Sequence, residues 1–192
     1  MNWLIVILTS TVVSAAVSVT GSWIIQNKKI HAEIVSKARH QWIQEVRALL
    51  SEYITELGYL NKEVGFILDD EDEKFTMPFA NKIKNPVKKI NTLCNKIILY
   101  FGEVKIVNDE EIEDKNNVSF NNKITELNEI VNKLHHVCME NGKFFQENEY
   151  NPSEDNEKIS NYNEQIENQV NELIKESSKY IKTEWYNTKK QK

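Results

Sequence analysis

Metal binding and nucleophilic catalysis draw on His, Cys and clustered carboxylates, and this sequence offers few of them. His135 and Cys138 stand three apart, with His136 beside them. On a helix that spacing shares one face. A zinc site needs four donors, and Cys94 from another segment could supply one more. Both cysteines fall on apolar stripes, where a thiol acts as a small hydrophobe. The expectation is core packing and no metal. Asp69-Asp70-Glu71-Asp72-Glu73 could attract a hard cation, but it lacks the glycine and the spaced final glutamate of an EF-hand loop. It reads as a solvated turn. The sequence contains no Gly-rich phosphate loop, nucleophile elbow or HExxH. The chain is therefore read as non-enzymatic, with no cofactor.

The cationic residues are more informative. Lysine far outnumbers arginine, and the two arginines, Arg39 and Arg47, flank Trp42. Near the other end stand Lys182, Glu184 and Trp185. Lys82, Lys84, Lys88, Lys89 and Lys96 make one segment basic, yet the whole chain carries a net charge of −5 and few aromatics interleave these lysines. A nucleic-acid surface is not expected.

These residues need elements to hold them. From Trp3 to Ile25 run 23 residues without a charge. At about 1.5 Å per residue a helix of that length crosses a hydrocarbon core of about 30 Å. Trp3 and Trp23 sit at its ends, where an indole keeps its N–H wet. A cleaved signal peptide would carry a basic residue first and a shorter apolar core. Lys28, Lys29, Lys37 and Arg39 follow the segment, which places the N-terminus outside and the remainder in the cytoplasm. The two cysteines suit that reducing compartment. Ser10, Ser14, Ser18 and Ser22 recur every fourth residue. Such a face either brings two membrane helices together or bonds back to its own carbonyls. Self-association is the sharper expectation.

After the anchor, four stretches show apolar residues at spacings of three and four, and none shows sustained alternation. The first carries Ile30, Ile34, Ala38, Trp42, Ile43, Val46, Leu49, Leu50, Tyr53, Ile54, Leu57, Leu60 and Val64, and continues from the anchor. A second spans Met77 to Phe101, where Pro86 predicts a kink or a delayed start. A third runs from about Phe120 to Phe145 after a polar connector, with no strands expected. The fourth follows Pro152, capped by Ser153 or Asp155. The fold class expected is all-α: an N-terminal transmembrane helix (residues 1–27) continuing into an antiparallel cytoplasmic four-helix bundle (residues 28–192). Such a bundle sets the start of its first helix beside the end of its last. Glu184 can then pair with Arg39 or Lys37, and Trp185 can pack near Trp42.

Arg39-x-x-Trp42-Ile43-x-x-x-Arg47 and Lys182-x-Glu184-Trp185, behind an N-terminal span, resemble a set of uncharacterised small bacterial single-span membrane proteins. The resemblance covers the span, the first helix and the last turns. It implies a bacterial plasma-membrane location and a contextual link to phage defence, with no catalytic residue to carry over. The functional expectation is a membrane-anchored interaction protein. Its partners would be the bilayer, further copies of itself and a cytoplasmic protein. The alternatives are a tethered signalling adaptor, a metal-dependent enzyme using His135, His136 and Cys138, and an oligomeric pore.

Overall fold

The computed structural model describes residues 2–69, 76–107, 110–147 and 152–190. The side chains of 2–17, 105–107, 144–147, 152–155, 187 and 190 lie outside the described set. The fold is all-α, four helices packed as a bundle: α1 (Asn2–Asp69), α2 (Met77–Tyr100), α3 (Lys115–Glu147) and α4 (Pro152–Lys190). Two compact units divide the chain, one of residues 1–44 with 182–192 and one of residues 45–181.

The larger unit owes its packing to heptad spacing. Val46, Leu50, Tyr53, Leu57, Leu60, Val64 and Ile67 alternate steps of four and three along α1, and all are buried. That repeat of 3.5 keeps one seam turned to neighbouring helices. Ile83, Val87, Ile90, Cys94 and Ile97 do the same on α2 and Ile124, Leu127, Val131, Leu134 and Cys138 on α3, while Ile159, Ile166 and Leu173 recur every seventh residue on α4. Burying a side chain of this kind contributes roughly 1.5–3 kcal/mol.

Outside the seam, charges match across helices. Lys82 bonds Glu63, and Lys89 Nζ reaches Glu56 at 2.8 Å and Glu52 at 2.9 Å. The Tyr100 hydroxyl donates to Glu45 at 2.9 Å. Positions rise along α2 as they fall along α1, so these two helices are antiparallel. Asn91 and Asn132 exchange amide bonds at 3.1 Å between α2 and α3, and Lys123 pairs with Glu176 between α3 and α4.

Boundaries differ from expectation for local reasons. α2 starts at Met77 with Pro78 in its first turn and runs through Pro86 without a break, so no delayed start occurs. α3 begins at Lys115, one turn and more before Phe120, because Asp114 caps it: its Oδ1 accepts from the amides of Asn116 and Asn117 at 3.2 and 3.5 Å. α4 begins at Pro152, so Ser153 and Asp155 stand inside the helix and not before it; proline suits a first helical position. The α2–α3 connection contains strands the sequence reading did not expect: β1 (Val104–Val107) pairs antiparallel with β2 (Glu110–Glu113). Four residues are too few to display a period, but Val104, Ile106 and Val107 are β-branched.

In the smaller unit, Ile43 and Ser36 are buried, whereas Ile30 and Ile34 are exposed. The apolar stripe of α1 was expected to face a core from Ile30 onward. It does so only from Ile43, because a core needs facing side chains. Of residues 70–73 in the acidic run, nothing lies within the described set.

Candidate functional site

Within the smaller unit, α1 and α4 lie side by side around the residues singled out from the sequence. Arg39 Nε approaches Glu184 Oε2 at 3.8 Å, a half-exposed ion pair. The Trp185 ring packs on His40, with centroids 5.1 Å apart, and Lys189 Nζ stands 5.4 Å from its centre. Thr188 is buried and its hydroxyl donates to the Glu184 carbonyl at 2.8 Å. A cavity of about 380 Å³ opens here, lined by Glu33, Ser36, Lys37, His40, Trp185 and Lys189. The negative face of the indole thus attracts the Lys189 ammonium, while His40 packs against the ring. Trp42 is half-buried in the same unit. Ser18, Ser22, Trp23, Lys28 and Lys29 are described; Ser22, Trp23 and the lysines are exposed, as is Ser18. Trp3, Ser10 and Ser14 lie outside the described side chains.

Arg47 belongs to the larger unit. It is exposed at a groove of about 250 Å³ between α1 and α4, with Ser51, Thr55, Ser177 and Ser178 supplying hydroxyls and Leu50, Ile54, Ile174 and Ile181 the apolar walls. The sequence motif therefore distributes its two arginines over two units.

The His135, His136 and Cys138 segment does not form a metal centre in the described residues, where no three His, Cys, Asp or Glu side chains are grouped to hold an ion. Cys138 is fully buried, and burial pushes its thiol up to about 12. Cys94 is likewise raised by burial. Neither thiol offers thiolate at neutral pH. His136 turns outward to Glu140, with Nδ1 3.1 Å from Oε2. His135 is held below the usual imidazole range chiefly by burial and then by the nearby Lys84 charge, with hydrogen bonding to the Ala80 backbone pulling the other way. Its Nε2 is buried without a hydrogen-bond partner.

One cluster was missed in the sequence. Phe101, Phe120 and Tyr180 stack around the connection between α2 and α3, with centroid separations of 4.5, 5.1 and 6.1 Å. The Tyr180 hydroxyl donates to Asn117 Oδ1 at 3.0 Å, and Asn121 Nδ2 donates to the Phe101 carbonyl at 2.8 Å. Both phenylalanines stood at ends of expected helices, where periodicity is uninformative.

Among the described residues no helix is long and apolar enough to cross a membrane. Most of the uncharged segment, residues 3–17, has side chains outside that set. Comparison with protein-family models, with curated proteins and with solved structures gives no match.

Proposed function

We propose that the chain is a non-enzymatic, single-span membrane protein of bacteria whose cytoplasmic helical bundle acts through protein contacts, as an effector or partner in phage defence. The observation that carries this reading is the uncharged segment Trp3–Ile25 followed by Lys28 and Lys29. It meets the length and flanking-charge requirements of a span with the bundle inside. Continuity of α1 from Asn2 to Asp69 supports a direct mechanical link between anchor and bundle. The Ser10, Ser14, Ser18 and Ser22 face supports association of copies within the bilayer. The phage-defence role rests on the resemblance alone.

The test is fractionation of full-length protein beside a variant lacking residues 1–27. The full chain is expected in the membrane pellet, resistant to carbonate and high salt, and the variant in the supernatant. Recovery of the full chain in the supernatant refutes the anchor. Crosslinking that yields only monomer, unchanged by Ser14→Leu and Ser18→Leu, refutes the association. A phage challenge with and without the gene addresses the defence role.

A tethered adaptor is the second reading, and a specific observation favours it. Leu99 on α2 and Phe66 on α1 are large apolar side chains left 83% and 59% exposed. An adaptor lacking residues 1–27 retains its soluble partner; an effector working on the membrane loses its toxicity.

A further inference from the structure

We propose that the groove between α1 and α4 in the larger unit is a binding site for a carboxylate borne on a short aliphatic stem, with Arg47 as its anchor. This goes beyond the membrane reading and does not depend on it.

Four observations carry the site. Arg39 is paired with Glu184, but Arg47 has no ion pair or hydrogen bond among the described residues. The groove that it lines contains no acidic side chain, although the chain is acidic overall. An exposed guanidinium there is the only charge the lining offers.

Ser177 supplies the third. It is 5% exposed and its hydroxyl has no hydrogen-bond partner. A hydroxyl inside a helix ordinarily returns to the carbonyl four residues back. Thr55, Thr92 and Thr188 do so, to Ser51, Lys88 and Glu184. Ser177 leaves a donor idle at the wall of a cationic groove, and an idle buried polar group is disfavoured unless something fills its bond.

The walls supply the fourth. Leu50, Ile54, Ile174 and Ile181 flank the polar strip, and Ile174 is exposed. A bare inorganic anion makes no use of them, whereas an acid with a few methylenes does. A carboxylate takes the planar guanidinium fork by two parallel hydrogen bonds. The volume of about 250 Å³ lies below the roughly 300–1,000 Å³ of sites for drug-sized ligands. It suits a short acid, or the glutamate side chain of a protein, which presents the same group on two methylenes.

The test is titration of the isotope-labelled full chain, in nanodiscs if it fractionates with membranes and in buffer if it does not, with pentanoate, inorganic phosphate and a blocked Leu-Glu-Leu peptide, followed at the Arg47 Nε–H and Ser177 amide signals. Saturable shifts with pentanoate or the peptide, at least tenfold weaker in Arg47→Gln and severalfold weaker in Ser177→Ala, are expected. The tighter of the two probes identifies a free acid or a protein side chain as the source. Lys96→Gln, exposed on α2 and away from the groove, leaves the titration unchanged. Phosphate binding as tightly as pentanoate, no saturation by either carboxylate, or unaltered binding in Arg47→Gln overturns the proposal. A melting curve for each variant separates lost binding from lost folding.

Discussion

At the scale of single residues, the interior of the bundle carries polar atoms at a cost. Asn61, Asn128 and Asn163 each bury a side-chain oxygen without a partner, as Ser177 buries its hydroxyl. Removing such a group recovers its desolvation penalty, on the order of 1 kcal/mol. Ser177→Ala is therefore expected to raise the melting temperature by a few degrees in calorimetry. His135 imposes a different signature. Its folded pKa lies below the unfolded value, so the unfolded chain takes up a proton first as pH falls. Stability is complete above about 6.5 and declines from there down to the lower folded value. Urea titrations at pH 7.5 and 5.5 should show this loss in the wild type and a smaller one in His135→Gln. Cys138, buried and pushed up to about 12, should resist alkylation at pH 8 until urea unfolds the larger unit.

At the scale of elements, a close approach joins α3 to the start of α2. A Cβ on Gly142 would meet the Met77 backbone nitrogen at 2.8 Å and its Cα at 3.0 Å. Backbone cannot yield as a flexible side chain does. Gly142→Ala gains about 1 kcal/mol of helix propensity but incurs an overpacking cost of about 1–3 kcal/mol. A net fall in melting temperature is expected, larger than for Gly58→Ala, where an added Cβ meets open space. The sequence made the four helices legible because the seam repeats over several turns in each. It concealed the close approach at Gly142, since a glycine in a helical run carries no sign of what faces it. It concealed the β1–β2 hairpin because four residues hold no period, and the early start of α3 because Asp114 was read as part of a polar connector. The Arg39–Glu184 pair was within reach of sequence reasoning, as motifs at the two chain ends met in one unit. The Arg47 groove was not, because an unbonded hydroxyl at Ser177 is visible only with its surroundings.

For the whole molecule, the expected organisation joins two environments. The bundle is described, while most of the proposed anchor's side chains lie outside the described residues, which makes the fractionation of the variant lacking residues 1–27 the decisive measurement. The charged pairs along the bundle have a further consequence. Each exposed pair contributes only about 0–1 kcal/mol. Together they act on a choice that the apolar seams leave nearly open: four helices can wind around their axis clockwise or anticlockwise with similar cores. Lys82 and Lys89 of α2 meet Glu63, Glu56 and Glu52 only if α2 lies on one flank of α1, and Lys123 meets Glu176 only if α4 lies on the matching flank of α3. Reversing Lys82 and Lys89 to glutamate would then weaken the preference between two mirror windings as well as the fold. The distance between spin labels at Glu45 of α1 and Tyr100 of α2, which face each other only in the native winding, should broaden into two populations. Compensating reversal of Glu63, Glu56 and Glu52 to lysine should restore one.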